Sequence, residues 1–172
     1  KAVDGEPVDP AVAALYLRLA RIAHFCVSFA LGAVGFVFIY VTSRLGIGLE
    51  TLGLILLVKE LGRVVSFGVL WAYSGWHYSA AWLFGSQILG GLALVVAAFA
   101  WSPWHFMGLL FAVGLLSGVS YYSSLYYGLN LRKGEGRASG IHEAILATGF
   151  CLGPLVSGNA GDLWPEWPGV VL

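Results

Sequence analysis

The chain has 172 residues, of which 59% are hydrophobic and 10% charged, with nine basic and nine acidic side chains. An ordinary soluble domain carries roughly a quarter charged residues, so a water-soluble globule is excluded because too much apolar surface would face water. The cancelling charge leaves no basic field for a nucleic-acid partner.

A helix that crosses a hydrocarbon core of about 30 Å needs about 20 mostly apolar residues. Five such runs follow one another: Leu15–Val41, Leu49–Ala72, Ser79–Ala100, Phe106–Leu129 and Ser139–Leu163. They predict an all-α integral membrane protein, a bundle of about five transmembrane helices, numbered here one to five. The runs are continuously apolar, unlike the alternating segments of about ten residues in a membrane barrel. The first is too long for a secretory signal, and no small-residue cleavage site follows it. Residues 1–14, with Asp4, Glu6, Pro7, Asp9 and Pro10, read as the end of a cytoplasmic linker. Residues 164–172 read as an extracytoplasmic loop that begins a further helix. The odd span count, Lys1 in place of a methionine and the stop at Val170, Val171 and Leu172 predict a fragment.

Helix one carries Arg21, His24, Ser28, Gly32 and Gly35 at spacings of three and four, one polar and small stripe on a Phe, Val and Leu surface. His24 has two readings, a proton relay and a satisfied structural histidine; the glycines read as close-packing positions. Cys26 in helix one and Cys151 in helix five read as buried thiols acting as small apolar groups.

Helix two holds LLVKELGRVVSF, which places Lys59, Glu60 and Arg63 near the middle of a span, where each charge costs about 2.5–3.5 kcal/mol even on the lenient insertion scale. These three and Ser66 share one helical face, and Glu60 and Arg63 can pair at i, i+3. That leaves one positive charge, which suits an acidic partner or an anionic ligand; the competing reading is an ion-pair network that locks helices together. Helix three, with Gln87 as its one strong polar group, reads as a lipid-facing support.

Helix four, GLLSGVSYYSSLYYGLN, places Ser117, Tyr121 and Ser124 on one face and spaces Gly114 and Gly118 for close contact. Tyr126 and Tyr127 read as aromatic-belt residues, whereas Tyr121 and Tyr122 lie deeper and predict a solvated cavity. Helix five opens on Ser139 as a cap, with His142 and Glu143 behind it, and the macrodipole alone accounts for Glu143. Leu146 stands where a zinc-protease H-E-x-x-H would need its second histidine, so no metal or other cofactor is expected. Gly149, Gly153, Pro154 and Gly158 predict a thin surface that packs closely and bends during gating.

All seven tryptophans fall near the ends of these runs, as indoles at the membrane interface do. Lys1, Arg18, Arg21, Arg132, Lys133 and Arg137 share one side under alternating threading, against Arg44, Glu50, Asp162 and Glu166 on the other. The positive-inside bias then places the N-terminus in the cytoplasm.

The segment YYSSLYYGLNLRKGEGRASGIHEAILATGFCLGPLVSG, with the turn WAYSGWHYS, resembles the second half of a major facilitator superfamily transporter, helices seven to eleven of the family's twelve. The run from Gly149 to Gly158 is similar to the glycine–proline pattern of family gating helices. The first-half loop signature G-x-x-x-D-R-x-G-R is absent, and Tyr73, Ser74, Gly75, Trp76 and His77 occupy the corresponding turn. The resemblance implies a secondary active transporter, a symporter or antiporter, that moves a small solute by alternating access with ion coupling, protons being one candidate for the ion. It implies partnership with an N-terminal half of the same polypeptide and residence in a bacterial inner membrane. Helices one and four would line the solute cavity, with His24, Ser28, Ser117, Tyr121 and Ser124 as candidates. Helices two and five would meet the other half, with Lys59, Glu60, Arg63, His142, Glu143, Gly153 and Pro154 as coupling or gating candidates. A multi-span scaffold explains the same topology, and an intramembrane enzyme would have only Glu60, Glu143, His24 and His142 to work with.

Overall fold

The structure, a computed structural model, describes residues 8–131 and 135–163, and no strand occurs among them. The order is α1 (Pro10–Arg44), α2 (Leu49–Ala72), a single 3₁₀ turn over Ser74–Trp76, α3 (Ala80–Ala97), α4 (Pro103–Leu131) and α5 (Glu135–Leu163). The expected linker end at residues 1–7, the basic residues Arg132 and Lys133, and the loop 164–172 with Trp164 and Trp167 lie outside the described residues.

Helix starts differ from expectation for reasons of capping. α1 begins at Pro10 rather than Leu15, because the Asp9 carboxylate accepts the Ala11 N–H at 2.8 Å and proline fits the first helical position, where no N–H is needed. Residues 10–14 are therefore helix and not linker. α4 likewise opens on Pro103, ahead of Phe106. α5 opens at Glu135, so Ser139 lies within the helix and is not its cap.

Four helices, α1, α3, α4 and α5, are long and apolar enough to cross a membrane, where five were expected. The 24 residues of α2 are sufficient in length, but Lys59, Glu60 and Arg63 fall in every 18-residue stretch of it. Its charges, not its length, set it apart.

Small residues dictate how the helices pair. On α5, a Cβ added at Gly153 would strike the Phe29 carbonyl oxygen of α1, and one at Gly149 would come within 2.6 Å of the Ser28 Cβ. Gly32 of α1 is also close-packed, with the Phe150 backbone 3.0 Å from where its Cβ would stand. On the other side of the bundle, Gly62 of α2 fits under the Phe111 carbonyl, and Gly114 of α4 fits against the Lys59 carbonyl. Such glycines let backbones approach where lipid supplies no hydrophobic drive. Contacts advance together along both chains, Ser28 to Gly149 then Phe29 to Gly153, and Lys59 to Gly114 then Ser66 to Gly118. Thus α1 and α5 run parallel, as do α2 and α4. These are the two most extensive helix contacts, and α4 is central, touching every other helix. α3 packs mainly on α4 and only slightly on α1, at the periphery expected for a helix without ionisable groups.

Two apolar clusters fill the bundle at different heights. One joins Leu17, Ala20, Ala23, Leu70, Trp76, Leu83, Val119 and Tyr127; the other joins Leu31, Phe38, Leu52, Ile55, Phe106, Leu110 and Val113. Between them on α1 lie His24 and Ser28, on α2 Arg63, and on α4 Ser117.

Trp71, Trp101 and Trp104 are exposed at helix ends, and Trp76, in the turn between α2 and α3, is at a helix end too but packed inside the protein at 1% exposure. Its indole N–H donates to the Leu70 carbonyl at 2.8 Å, so burial leaves no polar atom of the ring unsatisfied. Tyr127, expected in the aromatic belt, is likewise buried and accepts the Tyr78 N–H at 2.8 Å. Cys26 and Cys151 are exposed rather than buried, since both turn away from the glycine faces that join α1 and α5.

Candidate functional site

Close approach of α1 and α5 lets two histidines from distant parts of the chain meet. The rings of His24 and His142 stack in parallel, with centroids 4.4 Å apart and planes within 1°. Tyr121 of α4 presents a ring perpendicular to both, at 5.4 Å from His24 and 4.5 Å from His142. His142 Nδ1 lies 3.1 Å from the Ser124 hydroxyl, which orients that ring. The Tyr121 hydroxyl donates to Glu143 Oε1 over a long 3.4 Å. Ser28 spends its hydroxyl on the His24 carbonyl, 2.8 Å away within α1.

His24 is 2% exposed, and neither of its ring nitrogens has a hydrogen-bond partner; His142 Nε2 is also buried and unpartnered. An unsatisfied buried polar atom costs about 1–3 kcal/mol, so three of them in one cluster weigh against stability unless a water or a ligand reaches them. A cleft of about 10 Å³ adjoins His24, lined by it with Ser28, Arg63, Ser117 and Tyr121 and closed by Val27, Leu31, Leu146 and Phe150. That volume is close to the minimum that holds one water.

Arg63 enters the cleft from α2. Its Nη1 is 3.1 Å from Glu60 Oε2, and Lys59 Nζ is 3.0 Å from Glu60 Oε1, so one carboxylate serves two cations. The i, i+3 pair read from sequence is present, and the extra positive charge is real. Lys59 and Arg63 side chains are 18% and 21% exposed, while Glu60 is 48% exposed and lies outside the cleft lining.

The structure thus brings together His24, Ser28, Arg63, Ser117, Tyr121, Ser124, His142 and Glu143. His24 is neither lone nor satisfied, contrary to the bland reading, because its partner residue comes from α5. Lys59 and Glu60 stand a turn away. Gly153 and Pro154 lie at the α1 contact, where Pro154 Cδ would be 3.3 Å from a Cβ at Gly32, and α5 continues through the proline without interruption. Comparison of the chain with protein-family models, curated proteins and solved structures gives no match.

One group passed over in the sequence is the turn that follows α2. His77 stacks on Tyr126 at 4.5 Å and 9°, with Nδ1 buried and unpartnered, and burial lowers its pKa from 6.5. Tyr78 holds a left-handed φ of 54°, fixed by the hydrogen bond of its N–H to the Tyr127 hydroxyl, and burial raises its pKa from 10.0. The signal available was density: five aromatic or histidine side chains between Trp71 and Tyr78. No groups of three or more metal-ligating side chains occur among the described residues.

Proposed function

We propose that this chain is part of a secondary carrier of the major facilitator type, moving a small solute by alternating access with proton coupling and catalysing no covalent chemistry. One observation supports this above the others: a cluster of unsatisfied, protonatable groups lies at the middle height of the bundle, with an apolar plug above it and another below. A carrier in its closed state needs that layering, since its site sits near the midplane and must be sealed on both sides. A scaffold has no use for three unpartnered imidazole nitrogens.

In this reading α2 is a fifth span, because it runs beside α4 along its length and its cations are covered by protein. The half-exposed Glu60 is the natural contact for an N-terminal half of the same polypeptide. The N-terminus is cytoplasmic, on the basic side, in a bacterial inner membrane. The stacked histidines hold the coupling proton. Two charged imidazoles 4.4 Å apart repel by about 4 kcal/mol at an effective dielectric near 20, so the pair takes one added proton and not two.

The polypeptide containing this chain, placed in liposomes loaded with a pH-sensitive dye, is expected to move protons when one class of solute from a panel of sugars, amino acids and carboxylates is added outside. His142→Ala should abolish that signal. Proton movement undiminished by the substitution, or absent with the whole panel, rejects the reading.

A further inference from the structure

α2 and α3 are joined by a short turn, yet past it they scarcely touch, because each packs mainly on α4. The space between them is a groove of about 370 Å³, floored by Leu115, Leu116 and Val119 of α4 and walled by Val69 of α2 and by Gly85 and Leu89 of α3. No ionisable side chain lines it. Of its two serines, Ser86 spends its hydroxyl on the Leu83 carbonyl at 2.9 Å, and Ser66 lies against Gly118. Water finds few partners there, so the groove suits an apolar occupant.

Position narrows what that occupant is. Along α3 the lining runs from Ala81, next to the turn, to Leu89, about 12 Å deeper by helical rise, and one leaflet of a bilayer offers about 15 Å of hydrocarbon. The groove therefore lies within a single leaflet. At its shallow end stands the Trp82 indole, 37% exposed and 5.9 Å from the Tyr73 ring, with the exposed Trp71 ending α2 nearby in sequence. Such rings sit at the level of lipid headgroups and esters, and the Trp82 N–H forms no hydrogen bond among the described residues.

Volume then separates the apolar bodies that a membrane supplies. A further helix, about 10 Å across, would take on the order of 900 Å³ over that depth and does not fit. A methylene is close in size to a water, whose share of the liquid is about 30 Å³, so the groove has room for about twelve methylenes. That is one chain reaching from the interface toward the midplane.

We propose that one acyl chain of a phospholipid, from the leaflet on the side of the α2–α3 turn, seats in this groove with its ester carbonyl at the Trp82 N–H and its methylenes laid over Val119 and Leu116. The chain fills the place that direct contact between α2 and α3 would otherwise fill. It binds there whether or not the protein carries a solute.

The test uses the polypeptide containing this chain, one copy per nanodisc of phosphatidylcholine doped with phosphatidylcholine that bears a diazirine at carbon ten of one acyl chain. After irradiation, adducts are mapped by peptide mass spectrometry. Leu115 and Leu116, at the deep end of the groove, are expected to carry several-fold more adduct than Ile88, although Ile88 is 64% exposed on the outer face of α3 and open to any passing lipid. Gly85→Leu should abolish that excess by filling the groove, and the fold should tolerate it because nothing lies within 4 Å of a Cβ there. Gly91→Leu adds the same bulk to α3 in equally open space outside this groove and should leave the excess unchanged. No excess in the unaltered protein, an excess that survives Gly85→Leu, or equal loss in both variants overturns the proposal. Loss of the adducts in nanodiscs that hold two copies would give the groove to a second copy of the chain and overturn it as well.

Discussion

Replacing His24 by phenylalanine should make the protein more stable and less active at once. The imidazole is 2% exposed, and both its nitrogens are unpartnered. A neutral ring has one donor and one acceptor nitrogen, and each costs about 1–3 kcal/mol when buried unsatisfied, so their removal is worth at least about 1 kcal/mol. Phenylalanine keeps the aromatic contacts, the stack on His142 at 4.4 Å and the perpendicular approach to Tyr121 at 5.4 Å. Its additional ring atom has the adjoining cleft of about 10 Å³ to enter. Unfolding by SDS in mixed micelles, followed by tryptophan fluorescence, measures the change, and proton movement in liposomes measures the loss. A variant destabilised by more than about 1 kcal/mol would refute the reasoning, since it would mean that His24 already holds good partners, such as a tightly bound water. A gain in stability with full activity would refute its functional half, because groups kept at a cost in stability are expected to be those that function needs.

At the α1–α5 contact, Gly153→Ala should cost about 1–3 kcal/mol because its Cβ would strike the Phe29 carbonyl, whereas Gly158→Ala, whose nearest neighbour is Phe36 at 3.9 Å, should be neutral or slightly stabilising. Equal effects in the same SDS titration would remove close backbone approach as the cause. His77 favours its neutral form in the folded protein because burial lowers its pKa from 6.5. The unfolded chain therefore takes up the proton first, so this contribution to stability is complete above pH 6.5 and is lost as the pH falls below it. His77→Phe, which keeps the stack on Tyr126, should flatten the fall in thermal midpoint on acidification, and parallel curves for the two proteins would contradict this.

Apolar run length made all five helices legible, and for α2 even its limits, Leu49 and Ala72. The starts of α1 and α4 were not, because Pro10 and Pro103 resemble loop residues until they are seen as first helical positions. Stripe periodicity told which residues share a face of one helix: Arg21, His24 and Ser28, or Ser117, Tyr121 and Ser124. It did not tell which faces meet. His24 and His142 are 118 residues apart, and their stack depends on the register set by Gly32, Gly149 and Gly153. Trp76 shows what position at a helix end does not tell: the ring found both a carbonyl acceptor and an aromatic wall of Tyr122, Tyr126 and Tyr127 within the protein.

The glycines also decide where the bundle can give. Within α1–α5, and within α2–α4, backbones touch through positions that admit no Cβ, so each pair has little slack and moves as a unit. The seam between the pairs is less extensive, made by α4 against α1 and α5. The candidate site straddles that seam: His24, Ser28, His142 and Glu143 belong to one pair, and Arg63, Ser117, Tyr121 and Ser124 to the other. The bonds from Ser124 to His142 and from Tyr121 to Glu143 cross it, as do the perpendicular ring contacts of Tyr121. The His24–His142 stack does not cross it. A small rotation of one pair on the other would therefore open the cleft between Arg63 and His24 and break the two hydrogen bonds that cross the seam, yet keep the stack of His24 on His142 intact.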